Sequence, residues 1–480
     1  MRRKIRGLLT VAFGLGFAQA ASAADMPAKA PVYKAPAAIA TNWTGIYVNG
    51  GFGFGIWSAD TTTQDRTTGA CVNCLNEVQG GKGWLGVIGI GYDYQFAPQF
   101  VAGVFGDFNF GSLKGTIQDE APFFAGETKQ QTAWAAGARI GYLVTPDILT
   151  YANGGFTSAH FSSANMIDSQ AGGATTFSTP AFTTNGWFIG AGTETAMRSI
   201  LGLQFGPGWF WRTEYRYASY ANRLLPDTSP TPAGLFPDSI NFKPTVQTIT
   251  SQLVYKLNTG GPVYRVAAPA PANWTGFYVN GGVGYGAWAA DTTVVSPTTG
   301  ACVLCAVQVQ GGKGLLGRFG AGFDYVVMPK ILVGVFGDYD ISSLKGTIQD
   351  QGPSQAGDIT QTAAWAAGAR AGFLLTPQIL SYVNGGYTGA RFSGTTQLLV
   401  NPPVVGIPNG TTPAFTTNGW FLGGGVEAAI TSNLFWRNEY RLTRYDSKTI
   451  PDLPSNNSFT FRPTAQTITT QLVYKFGWPG

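Results

Sequence analysis

A stretch of more than two hundred residues occurs twice in this chain. NWTGIYVNGGFGFG at residues 42–55 returns as NWTGFYVNGGVGYG at residues 273–286, and TTGACVNC ending at Cys74 returns as TTGACVLC ending at Cys305, each 231 positions later. Solenoids and propellers repeat every ~20 to 50 residues, whereas a unit of this length closes a fold by itself. What one unit does, the chain is expected to do twice.

Period-2 alternation dominates each unit, the mark of strands with two unlike faces. From Ile46 the even positions Ile46, Val48, Phe52 and Phe54 are apolar, while Tyr47, Asn49, Gly51, Gly53 and Gly55 fill the odd ones. Around Arg139 the outer series is Trp134, Ala136, Ala138, Ile140, Tyr142; from Trp209, Trp211 and Tyr217 alternate with Arg212, Glu214 and Arg216. Eight such segments are predicted in the first unit, near 43–58, 81–96, 100–113, 132–145, 148–161, 185–197, 209–221 and 244–257, and all eight recur in the second. Connections such as Ala97-Pro98-Gln99 and Thr145-Pro146-Asp147 are short, whereas residues 60–80, 114–131, 163–184 and 223–243 read as long polar loops. Short turns on one rim and long loops on the other are the organisation of an outer-membrane barrel.

Composition agrees, with 66 glycines, 14% aromatic and only 11% charged residues, against a charged share of about 25% in soluble domains. Residues 1–24 read as a cleavable signal peptide: Arg2, Arg3, Lys4 and Arg6, then an apolar run at 8–17, then Ala21, Ser22, Ala23 and Ala24. Removing those four basic residues takes the net charge from +5 to about +1, which gives no nucleic-acid footprint. No run approaches the ~18 apolar residues of a spanning helix. Residues 25–41 are expected to form a periplasmic peptide, 42–257 a first barrel unit, 258–272 a Pro/Ala/Gly-rich linker, and 273–480 a second unit.

The fold class is therefore all-β, an antiparallel transmembrane β-barrel, as two tandem eight-stranded barrels or, alternatively, one sixteen-stranded barrel. Eight strands enclose a lumen that side chains fill, whereas sixteen leave an aqueous channel. The inward glycines favour the tighter closure. So do the inward charges, which nearly balance within each unit: Asp93, Asp107, Glu194 and Glu214 against Arg139, Arg212 and Arg216, then Asp324, Asp338, Glu427 and Glu439 against Arg318, Arg370, Arg437 and Arg441. They are expected to form ion pairs inside the barrels, because an unpaired buried charge costs several kcal/mol. Trp43, Trp134, Trp187, Trp211 and Tyr255 are assigned to aromatic girdles.

Cys71 with Cys74, and Cys302 with Cys305, form two CxxC pairs. In an exported chain each most simply closes a local disulfide, with zinc or redox chemistry as alternatives. His160 is the only histidine and its counterpart is Arg391, so it reads as a rim residue. No catalytic dyad or triad can be assembled, and neither an enzyme nor a bound cofactor is expected. The final strand, with Leu472, Tyr474 and Phe476 on one face, resembles the signal read by the barrel-assembly machinery, although Gly477 to Gly480 extend past it.

NWTGFYVNGG, the PVYK-like peptide before it, the WRTEYR and WRNEYR strands and the closing LVYKF together resemble the small outer-membrane β-barrel family of alphaproteobacteria, the Brucella and Rhizobium major outer-membrane protein type. The resemblance covers nearly the whole mature chain, one copy in each half. It implies eight-stranded barrels of the Gram-negative outer membrane that hold the membrane together and meet the host, some of them binding haemin. The expected function is structural, with surface interaction and with lipid, lipopolysaccharide and the assembly machinery as partners; the surface ligand is not specified. The alternatives are a diffusion porin and a haemin or other ligand receptor.

Overall fold

A computed structural model describes residues 41–119, 124–168, 175–197, 199–200, 203–228, 235–258, 272–350, 355–399, 405–453 and 457–477. The signal peptide, the peptide at 25–40 and residues 259–271 of the linker lie outside them.

Sixteen long strands carry the fold. In the first half they are β1 (Gly45–Asp65), β2 (Cys71–Ala97), β3 (Phe100–Asp119), β4 (Phe124–Thr145), β5 (Ile148–Phe161), β6 (Phe182–Ala196), β7 (Trp209–Tyr220) and β8 (Leu235–Asn258). In the second half they are β9 (Gly276–Val295), β10 (Cys302–Met328), β11 (Ile331–Asp350), β12 (Gln355–Thr376), β13 (Ile379–Phe392), β14 (Phe415–Ala429), β15 (Leu434–Tyr445) and β16 (Ser458–Lys475). Within each half, each pairs antiparallel with its sequence neighbours. Two further pairings close the rings: β1 with β8, through Gly45↔Asn258 to Asp65↔Asp238, and β9 with β16, through Tyr278↔Lys475 to Val295↔Ser458. Sixteen strands thus pair as two rings of eight, each closed by its own first and last strand.

Outward positions build an apolar belt between two aromatic rows. On β2, Trp84 and Tyr94 bracket exposed Ile88 and Ile90; on β4, Trp134 and Tyr142 bracket Ala136, Ala138 and exposed Ile140. That spacing suits the ~25 Å apolar band of a barrel in a bilayer. Trp134, Trp187 and Trp211 are exposed there as expected. Trp43 is not: it is wholly buried, its Nε1 donating to Pro146 O at 2.9 Å and its ring against Phe210. It precedes the first strand, so strand parity does not govern it, and it folds across the short-turn end of the lumen. Trp274 does the same with Pro377 O and Phe435.

The long polar loops prove to be largely strand. β2 runs 27 residues, well beyond the 9 to 11 or so that cross a bilayer, so both barrels continue past the belt on the long-connection side. Alternation in these extensions is hidden in the sequence because Thr61, Thr63, Glu77 and Gln79 are polar yet buried. Between β1 and β2 only a tight turn remains, with Gly69 at φ 69° and Asp65 Oδ1 accepting from Thr68 N (2.6 Å), Thr68 Oγ1 (2.8 Å) and Thr67 N (2.9 Å). The Thr68 amide first, then its hydroxyl, hold the Asp65 carboxyl below the usual carboxylate range. A depressed value means that the turn's contribution is present above the unfolded carboxylate pKa of ~3.9 and is lost as pH falls through the lower folded one. The Thr68 amide resonance should therefore titrate with a midpoint below ~3.9; a midpoint at or above that value contradicts the assignment.

Register slips between Thr61 and Gln64 on β1 let β2 bulge around residues 71–77, and β9 with β10 repeat the slip between Thr292 and Val295. The CxxC segments occupy these bulges. Cys71 and Cys302 are each disulfide-bonded; the side chains of Cys74 and Cys305 lie outside the described residues.

Candidate functional site

What these barrels could do depends on what fills their lumens. In the first, Arg139 on β4 reaches Asp93 on β2 with Nε at 2.8 Å and also with Nη2, and reaches Glu194 on β6 at 3.0 Å. Arg212 on β7 meets the same Glu194 at 2.8 Å, and Lys256 on β8 joins Asp93 (2.6 Å) to Glu194 (3.0 Å). Tyr47 and Tyr151 present ring faces to Arg139, each 4.8 Å from the guanidinium carbon. One layer further in, Arg216 forks onto Asp107 (2.9 and 2.5 Å) and touches Glu214 (2.5 Å). Tyr151 Oη and Asn153 Nδ2 each donate to Glu214 at 2.7 Å.

Beyond these charges lies an apolar plug of Trp57, Phe161, Phe182, Phe242 and Leu113. Trp57 Nε1 donates to Leu113 O at 2.9 Å, and the ring lies directly over Gly81 and Gly115, where a Cβ would collide with it. Glycine is required there for close approach.

The second lumen repeats the pattern. Arg370 joins Asp324 to Glu427, Arg437 meets Glu427 at 2.7 Å, and Lys475 bridges Asp324 (2.5 Å) and Glu427 (3.1 Å). Arg441 forks onto Asp338 (2.9 and 2.5 Å) and reaches Glu439 at 2.7 Å. It adds one pair: Arg318 to Asp340 at 2.7 Å, with a further contact to Glu439 at 2.8 Å. Val87 and Asn109 occupy the corresponding places in the first barrel. Beside Arg318, Asp338, Asp340 and Arg441 is a cavity of about 20 Å³, room for about one water.

All the inward charges anticipated from the sequence are thus brought together within their own barrels. Lys256, Lys475 and Asp340 were missed. The signal for the lysines was present: if Tyr474 and Leu472 point outward, Lys475 points inward, and it balances the charge. With the lysines and Asp340 counted, each network pairs its acids and bases one for one. His160 sits apart from them, its Nδ1 3.1 Å from Thr183 Oγ1. Among the described residues no cluster of three or more His, Cys, Asp or Glu is arranged to hold a metal. Tyr474 and Phe476 face outward, about half exposed, with ring centres 5.3 Å apart.

Comparison with known proteins decides the family. The description "Outer membrane protein beta-barrel domain" fits residues 9–256 and again 262–476. The chain belongs to the outer membrane protein beta-barrel family. It is 28% identical over 228 residues to the 31 kDa outer-membrane immunogenic proteins of Brucella melitensis and Brucella suis, an alignment covering 46% of this chain and 90% of each relative. Among solved structures, the attachment invasion locus protein Ail of Yersinia pestis aligns at 12% identity and TM-score 0.23, covering 42% of this chain and 99% of Ail. A FadL homologue of Pseudomonas aeruginosa aligns at 10% identity and TM-score 0.28, covering 90% of each chain. Superpositions that weak bear on neither the fold nor the task. In this outer-membrane family, the apolar belt faces lipid and the long-connection extensions stand clear of it.

Proposed function

We propose that this chain is a structural, surface-interacting protein of the Gram-negative outer membrane, exported by a signal peptide at 1–24 and built as a duplicated unit whose two barrels, 42–257 and 273–480, are joined by the linker at 258–272. The observation that carries this reading is the filling of both lumens by balanced ion networks and apolar plugs. A porin needs a continuous water path, and here buried Arg139, Arg212 and Lys256 spend their donors on Asp93 and Glu194. Such a plug has no evident catalytic role, and the reading includes no enzyme activity or bound cofactor. Tyr474 and Phe476 on the last strand are the side chains offered to the barrel-assembly machinery. The loop-side extensions are the surface offered to lipopolysaccharide and to a partner outside the cell.

Deleting the gene tests the proposal. Cells without the chain should become more sensitive to detergent and shed more membrane vesicles, and re-expression should restore both traits. Unchanged detergent tolerance combined with slower uptake of small hydrophilic solutes would instead favour the porin reading.

A further inference from the structure

The two barrels touch through contacts that come in reciprocal pairs. Lys82 Nζ meets Asp291 at 2.9 Å, and Lys313 Nζ meets Asp60 at 3.2 Å; Lys313 and Asp291 lie 231 positions after Lys82 and Asp60. Val78 N donates to Thr347 Oγ1 at 2.9 Å, and Val309 N donates to Thr116 Oγ1 at 2.8 Å. Those residues are related by the same shift. Gln79 and Gln310, one repeat apart, form the single ladder pair between the barrels. Beside them a Cβ on Gly80 would lie 2.8 Å from Gln310 O, and one on Gly311 would lie 2.7 Å from Gln79 O. Gln118 with Gln308 and Gln349 with Glu77 repeat the pattern, and Gln466 Nε2 donates to Gln247 O at 2.9 Å.

When residue i of one unit meets residue j of the other and j also meets i, the contact is isologous, as in a two-fold dimer. A chance collision of two barrels would not reproduce its contacts under exchange of the units. These polar contacts lie at the loop-side extensions. Below them outward Ile56 packs with Ala287 and Ala289, Tyr217 meets Tyr285 with ring centres 5.6 Å apart, and Ile148 meets Ile379 toward the short-turn end, while Trp84, Ile88, Leu315 and Phe319 remain exposed. The two ion pairs are partly exposed and contribute little alone. Glycine-permitted backbone approach, the buried glutamines and the apolar clusters around Ile56 and Ile148 set the fit.

We propose that this seam is a self-complementary docking face: each unit carries a surface that fits a second copy of itself, and it holds the two barrels together without the linker. The proposal rests on the two-barrel reading above. It makes the duplicated chain a covalently tethered two-fold dimer, whose paired loop sets are presented to partners at one fixed spacing.

A protease site placed within residues 259–271 of the full chain, cut after folding in detergent, tests this. The two fragments should stay together as one particle in native mass spectrometry. Gly80→Val with Gly311→Val should let them part, each fragment still running as a folded, heat-modifiable barrel. Lys82→Asp should loosen the particle, and adding Asp291→Lys should restore it. Fragments that part in the unsubstituted protein overturn the docking face. Fragments that stay together despite both valines overturn these contacts as its basis. Fragments that part and lose their barrel fold refute the two-barrel reading beneath it.

Discussion

Glu194→Gln should destabilise the first barrel by roughly 3–5 kcal/mol, the cost of stripping the partner from buried charges. Glu194 is fully buried and lies within 3.0 Å of Arg139, Arg212 and Lys256. Glutamine preserves the volume and some hydrogen bonding but leaves Arg139 and Lys256 with Asp93 alone and takes from Arg212 the carboxylate it meets. Glu194, Arg139, Arg212 and Lys256 are all buried, so bulk water does not take the lost partner's place. Urea unfolding in detergent, followed by tryptophan fluorescence, reads the change. Because the networks are separate, Glu194→Gln should shift one of two unfolding transitions and Glu427→Gln the other. A shift of both together would show that the barrels unfold as one unit, and a shift below ~1 kcal/mol would mean that the network contributes no more than an exposed pair does.

Trp57→Ala should cost about 3–5 kcal/mol, the range for emptying a large buried aromatic site. The ring is wholly buried, packs edge-on against Phe161 and Phe242 with centres 6.1 and 5.7 Å away, and hydrogen-bonds Leu113 O. Neighbouring strands cannot close over the gap, because Gly81 and Gly115 opposite the ring have no side chains to move in. Trp57→Phe keeps most of the volume and should lose far less. Gly81→Val fails for the converse reason, since its side chain must occupy the space of the indole. Refolding yield, judged by the heat-modifiable gel shift, checks all three; equal yields for Trp57→Ala and Trp57→Phe would contradict the plug.

Much of this was legible in the sequence, and the limits have physical causes. Arg139, Glu194 and Arg212 could be placed inside because a barrel wall in lipid permits charges on one face only, so parity decides their side. Parity also put Lys256 and Lys475 inside, but they lie within the closing strand, where the apolar face drew the reading. Trp43 was misplaced because it stands ahead of the strand and obeys no alternation. The loop-side strands were read as loops because beyond the bilayer both faces tolerate polar residues, and Thr61, Thr63 and Gln79 carry no parity signal. Contacts between the units were beyond reach: two copies of one sequence give no sign of which copy a residue such as Gln310 will meet.

Single-channel recording from the refolded mature chain in a planar bilayer tests the central claim most directly. Two filled barrels predict silence or rare small flickers, because the lumens are packed with Arg139, Glu194, Lys256 and their counterparts beneath aromatic plugs. A large, steady, weakly selective conductance would contradict the account and make the chain a wide diffusion pore.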